Sequence, residues 1–235
     1  MRIAITGLPF PEGKVKYEDR ILSALAEKYQ PKKVTPYYFE FLTDDYESAD
    51  IIVIARDRIL DLLIYDIEKV ENRRDRTTDE EERILLDRVL TELEREVPVH
   101  AQSFKENEQP YLRTLSPLSL KPTLVLETDS SHSDDLSSNE LIPLAMTTAA
   151  LMFFYTAGKK EVRSWLIKRE TNAQGCAGKI HSDLAQGFVK AEIIPADDLL
   201  QCHGMQDARQ RNLTRLVDRN FIIPENTVLE IRFNV

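Results

Sequence analysis

Apolar positions in the first half of the chain follow two rhythms. Residues 2–6 form a short apolar run that predicts a strand ending at the turn Gly7-Leu8-Pro9. Residues 18–29 place Ile21, Leu22, Leu25 and Ala26 on one helical stripe, which Pro31 ends. Residues 34–42 are rich in Tyr and Phe and predict a strand, with Pro36 marking an edge or an irregular start. Residues 49–55 (ADIIVIA) are continuously apolar, the pattern of a strand buried on both faces, and residues 124–126 repeat it briefly after Lys121-Pro122. Strands separated by helical segments predict an α/β arrangement.

Two longer helical patterns interrupt it. The first spans about 57–72 with Leu60, Leu63, Ile67 and Val70 on one stripe; the second spans about 78–97 with Leu86, Leu90, Leu93 and Val97. The charged turn Arg73-Arg74-Asp75-Arg76-Thr77 separates them, and Thr78-Asp79-Glu80-Glu81 is a capped, acidic helix start that complements the helix dipole. The pair reads either as a helical hairpin over about 57–97 with coiled-coil-like packing or as two amphipathic helices laid on a sheet. Residues 129–139 (DSSHSDDLSSN) read as a loop or linker, with no role for His132. From Tyr155 the pattern changes. Strands are predicted over 162–168, 188–194 and 228–235, with short helices or turns between them. This divides the chain into an α/β region, 1–154, and a compact α+β module, 155–235.

Charge sharpens that division. The net charge of the 235 residues is −9. Residues 1–154 hold 19 basic and 30 acidic side chains, net −11, while residues 155–235 hold 12 and 10, net +2. An acidic chain repels phosphate backbones at long range, which argues against a nucleic-acid coat protein and against DNA as a partner; only the second module can approach RNA without strong repulsion. The longest apolar stretch, 141–155, is broken by Pro143, Thr147 and Thr148, so no membrane span and a cytoplasmic location are expected. Two cysteines, Cys176 and Cys202, and four histidines show no metal-ligand spacing, so no metal is expected. Only seven glycines are present, and just Gly7 and Gly13 precede residue 158.

The end of the chain carries an ordered series of blocks: Phe154-Tyr155-Thr156-Ala157-Gly158-Lys159-Lys160-Glu161-Val162-Arg163-Ser164-Trp165, then Ala177-Gly178-Lys179-Ile180-His181-Ser182-Asp183, Gly187-Phe188-Val189-Lys190-Ala191-Glu192 and Ile231-Arg232-Phe233-Asn234-Val235. Together they closely resemble the C-terminal TGS-type domain of the YchF/Obg-like ATPase family. Upstream the likeness is weaker: residues 118–123 resemble the approach to that family's base-reading strand, residues 80–99 the return helix of its helical insertion, and residues 34–42 the strand before its second switch. The resemblance implies a shortened family member: an α/β, P-loop-like G-domain remnant with a helical hairpin insertion, followed by an α+β, ubiquitin-like β-grasp module. It also implies a partner in translation, either the ribosome, RNA or a translation protein.

The nucleotide motifs depart from the family pattern. A P-loop reads G-x-x-x-x-G-K-[ST], its backbone amides cradling phosphates and its hydroxyl ligating Mg²⁺. Here five residues separate Gly7 from Gly13-Lys14, Val15 replaces the hydroxyl, Pro11 removes a donor and Glu12 adds a negative charge. No glycine follows Asp44-Asp45 where the second switch needs one, although either carboxylate could meet a cation. Leu126-Glu127-Thr128-Asp129 stands where the base-reading Asn belongs. Phosphoryl transfer depends almost wholly on such positioning. The expectation is therefore a non-catalytic, regulatory binding protein without a cofactor, in which Gly7, Gly13 and Lys14 form a degenerate phosphate loop. Lys159, Lys160, Arg163, Lys168 and Arg169 are the candidate contact to a partner or RNA; Arg209, Arg211, Arg215 and Arg219 form a second basic group. The alternatives are a divergent hydrolase binding ATP or GTP with Mg²⁺ and a protein-interaction scaffold acting through the hairpin.

Overall fold

The computed structural model describes residues 1–127 and 136–234. In chain order the elements are β1 (Arg2–Thr6), β2 (Gly13–Lys16), α1 (Arg20–Tyr29), β3 (Lys33–Thr35), β4 (Tyr38–Thr43), β5 (Ile51–Ala55), α2 (Ile59–Arg74), α3 (Glu80–Leu93), α4 (Gln109–Leu115), β6 (Thr123–Leu126), α5 (Ser138–Thr148), β7 (Leu151–Ala157), β8 (Glu161–Lys168), α6 (Ala173–Ile180), α7 (Ser182–Gln186), β9 (Phe188–Pro195), α8 (Ala196–Leu200), α9 (Met205–Gln210), β10 (Arg215–Val217) and β11 (Thr227–Phe233). They form a mixed α/β protein with two sheets and two compact units. Residues 129–135, which include His132, lie outside the described residues.

The first unit comprises residues 1–15 and 38–149. Its sheet has the order β2-β4-β1-β5-β6, and β4, β1, β5 and β6 run parallel. All five residues of β5 are buried, as the unbroken apolar run requires of a strand covered on both faces. The helical pair packs onto one face. Leu62, Leu63 and Val70 of α2 and Leu85, Leu86, Val89 and Leu93 of α3 share a core with Ala4, Ile52 and Ile54. The charged turn closes the pair through Arg73, whose guanidinium donates to both oxygens of buried Glu82 at 2.7 and 2.8 Å; Thr77 donates to the same carboxylate, and Asp79 caps α3. Asp66, fully buried on α2, accepts from the amides of Leu118 (2.5 Å) and Ser119 (2.8 Å), fixing the loop that leads into β6.

The second unit comprises residues 16–37 and 150 onward. Its sheet has the order β10-β9-β11-β7-β8-β3. The hairpin β7–β8 is antiparallel, β11 lies parallel to β7, β9 is antiparallel to β11, and β3 is parallel to β8. Helix α1 packs beside β7 and β8, and its cap joins the sheet: Asp19 accepts from the amides of Ile21 and Leu22 and from the Tyr155 hydroxyl at 2.8 Å.

This division differs from the expected one at 154/155. That boundary falls inside β7, which continues the apolar run beginning at Leu141 and is set off from α5 by the backbone turn at Ala150. Residues 16–37 belong with the C-terminal unit rather than the first. The single strand expected over 34–42 is two strands, β3 and β4, joined to different sheets; Pro36 between them cannot donate to a ladder. No helix among the described residues is long and apolar enough to cross a membrane.

Candidate functional site

Strand order makes β1 the point at which the parallel sheet reverses direction. The chain proceeds from β1 to β4 on one side, then to β5 on the other. In open parallel sheets the crevice at such a point, outside the carboxyl ends of the strands, is where ligands bind. Gly7 follows β1 there with φ +73°. A Cβ at this position would lie 2.7 Å from Arg58 Cγ and 2.9 Å from Ala55 Cβ, so both the backbone conformation and the close approach require glycine. Arg58, in the turn after β5, packs its side chain against Gly7, and Arg56 lies in the same turn. Arg56 pairs with Glu127 at 3.0 Å and Arg58 with Asp61 at 2.6 Å, all four side chains being substantially exposed. On the other side of β1, the buried Thr6 hydroxyl donates to Asp44 Oδ1 at 2.7 Å and lies 3.0 Å from the Tyr46 hydroxyl. Asp45 does not join them; its carboxylate accepts from the Ser48 amide at 3.0 Å, which holds its pKa down. Nearby, a hollow of about 430 Å³ is lined by Asp44, Asp45, Tyr46, Glu47, Asp61, Tyr65 and Leu118. No group of three or more His, Cys, Asp or Glu among the described residues is arranged to hold a metal.

Gly7, Gly13 and Lys14 do not form one loop around a phosphate. Gly13 and Lys14 lie in β2, the edge strand two places from β1, about 10 Å away at the usual strand spacing. Phe10 packs edge-on against Phe41 of β4, with ring centres 5.8 Å apart, so the intervening segment is drawn toward that side of the sheet. No helix follows Lys14 directly. The next one, α1, has its N-terminus closed by the Asp19 carboxylate. Of the three residues, only Gly7 stands at the sheet's reversal point. Arg56 and Arg58 went unnoticed in the sequence, yet their signal is present: an Arg-x-Arg turn directly after a strand buried on both faces.

The basic residues of the second unit also separate. Lys159 and Lys160 sit at the β7–β8 turn, whereas Lys168 and Arg169 lie at the far end of β8, about 26 Å along at 3.3 Å per residue. Arg163 stacks over the Trp165 ring at 3.8 Å, and Arg169 pairs with Glu225 at 3.0 Å. Trp165 is core, stacked on Phe154, its indole donating to Thr156. Arg209 and Arg232 converge on buried Glu192, whose carboxylate they hold down at about 2. His181 caps α7 by accepting from the Asp183 amide. Both cysteines are buried free thiols, and burial pushes Cys176 up to about 12.

Comparison with known proteins bears on this picture. Residues 151–234 match the family YchF-GTPase_C, described as a protein of unknown function (DUF933). The C-terminal unit therefore carries a YchF-type C-terminal domain. Over 97 residues the chain is 43% identical to the "Ribosome-binding ATPase YchF" of Mycoplasma genitalium and 37% identical to that of Bacillus subtilis. The match covers 41% of this chain and 26% of each relative, so the chain spans about a quarter of the curated YchF proteins it matches. The fold as a whole resembles the Schizosaccharomyces pombe YchF GTPase, with a TM-score of 0.77 and 16% identity, covering 99% of this chain and 97% of that one. These findings overturn the expectation of a non-catalytic binding protein. The relatives are named as ATPases, and the YchF fold extends through the unit that holds the parallel sheet.

Proposed function

We propose that this chain is a divergent YchF-type hydrolase of ATP or GTP that associates with the ribosome in the cytoplasm through its second unit. The strand order of that unit, with β7 and β11 parallel and adjacent between β8 and β9, supports reading it as a TGS-type β-grasp module. The nucleotide would lie at the carboxyl end of β1. The observation that carries this reading is Gly7 at the reversal point, with φ +73° and the Arg58 side chain packed against it.

The residues present fit the phosphates of a nucleotide, though not through a P-loop lysine. Gly7 lets the Arg58 side chain pack directly against the turn after β1. Arg56 and Arg58 supply the planar, bidentate donors that suit phosphate oxygens. Their current partners, Glu127 and Asp61, are exposed, and such pairs contribute about 0–1 kcal/mol, so a phosphate can displace them. Asp44, 2.7 Å from the Thr6 hydroxyl, is the carboxylate placed to hold Mg²⁺, an ion that takes most of its remaining oxygens from phosphate and water. Bound Mg²⁺ would supply charge neutralisation at the transferring phosphoryl group. The arginines would hold the phosphate oxygens in position and stabilise the charge that develops on them.

Phosphate release from MgATP and MgGTP, measured beside binding, tests the reading. Arg58→Ala is expected to weaken binding about tenfold, or about 1.4 kcal/mol, while Lys14→Ala leaves it unchanged. Sensitivity to Lys14 with indifference to Arg58 would place the phosphates elsewhere and overturn the site. Ribosome co-sedimentation of the second unit's charge variants tests the other half of the proposal, with loss of association expected on reversing Lys159 and Lys160.

A further inference from the structure

The sheet of the second unit is split. Strand β11 pairs with β7 at Thr227↔Phe154 and Val228↔Tyr155, and there the pairing stops. Both strands continue, but β7 turns into its hairpin, whose tip is tied toward β3 by the Lys32 amide donating to the Lys159 carbonyl at 3.1 Å. Beyond Val228, the edge of β11 facing β7 has no strand partner among the described residues, although its other edge is bonded to β9 as far as Phe233. The gap is a groove of about 440 Å³. Ile180, Leu184, Ile231 and Phe233 make its wall apolar, and Phe233 is 43% exposed. Lys159 and Lys160 stand exposed among its lining residues. The acids that also line it are already satisfied: Glu161 by Lys33 and Thr35, and Glu230 by Arg209.

The geometry points to a docking site in this split for an extended, acidic segment of a partner protein, which pairs its main chain with the free edge of β11. An unpaired strand edge recognises another main chain by hydrogen bonds, with alternate side chains entering pockets. Here one set of side chains meets the apolar wall. The local charge left over is that of the two lysines, which selects carboxylates. Nucleic acid could use the lysines but not the strand edge, and the exposed wall holds Phe233 as its one accessible ring. The inference stands on the second unit alone and does not depend on nucleotide hydrolysis by the first.

A fluorescein-labelled peptide of about ten residues, alternating valine and glutamate, tests it by fluorescence anisotropy with the full chain. Saturable binding is expected. Binding should be at least about tenfold weaker for the valine–lysine counterpart and for an oligouridylate of about ten nucleotides, and weaker by about the same factor for the Lys159→Glu/Lys160→Glu protein. N-methylation of alternate peptide amides, tested on the unaltered protein, should abolish binding because it removes the main-chain donors. Native Trp165 fluorescence reports that the variant remains folded. Absence of acidic-peptide binding, tighter binding of the RNA, or indifference to N-methylation would each overturn the inference.

Discussion

Replacing Glu192 by Gln removes one charge from the second unit without changing its shape. Glu192 is 2% exposed and accepts from Arg209 at 2.8 and 2.9 Å and from Arg232 at 2.8 Å. Hydrogen bonds from Arg209 are the largest cause of its depressed pKa, which falls from 4.5 to about 2. At about 1.4 kcal/mol per pH unit, that difference amounts to about 3 kcal/mol of stability. The two guanidiniums are about half exposed, so the expected loss on substitution is about 2–3 kcal/mol at neutral pH. The sign follows from the depressed value. The contribution is fully present above the unfolded pKa near 4.5 and is lost as pH falls through the folded value near 2. Trp165 is the chain's single tryptophan and lies in the core of this unit, so urea unfolding followed by its fluorescence reads the unit directly. The stability gap between wild type and Glu192→Gln should fall below half by about pH 3 and almost vanish near pH 2. A gap under about 0.5 kcal/mol at neutral pH, or one that does not change with pH, would refute the reasoning.

Three further substitutions probe other joints of the fold. Asp66→Ala leaves the amides of Leu118 and Ser119 without their acceptor and should cost the first unit about 2–4 kcal/mol in circular-dichroism unfolding, less what is regained by no longer burying a carboxylate. Gly187→Ala places a Cβ 2.1 Å from the Asn234 carbonyl oxygen; the end of β11 must shift, with an expected loss of about 1–3 kcal/mol and faster amide exchange at Phe233 and Asn234. Tyr155→Phe removes the hydroxyl that joins β7 to the Asp19 cap of α1 and should cost about 1.5–3 kcal/mol by Trp165 fluorescence; no change would mean the cap holds α1 without it.

The parts of the fold that were legible in the sequence are those specified locally. The run ADIIVIA marks a strand covered on both faces, and the charged turn with its Asp79 cap marks the break between α2 and α3, although the pattern left open whether the pair formed a hairpin or lay on a sheet and set Leu60, which is exposed, on the buried stripe. What was not legible depends on long-range pairing. Residues 34–42 are extended throughout, so nothing in their pattern shows that the two sides of Pro36 bond to different sheets. Helix α5 and strand β7 are both apolar and almost adjacent; Ala150, at φ +51°, separates them by a backbone turn that periodicity does not reveal. The same limit misplaced candidate site residues. Lys159 and Arg169 are close in number but stand at opposite ends of one strand, while Gly7 and Lys14 are divided by a fold that sends the second to the sheet's edge. Arg56 and Arg58 acquire meaning only once β5 is known to lie beside β1.

The central claim is that phosphates bind at the carboxyl end of β1 without a P-loop lysine. Isothermal titration of the full chain with MgATP and with MgGTP tests it most directly. A saturable, one-to-one isotherm that survives Lys14→Ala and weakens about tenfold in Arg58→Ala is the predicted result. No saturable heat with either nucleotide up to about 1 mM would contradict it.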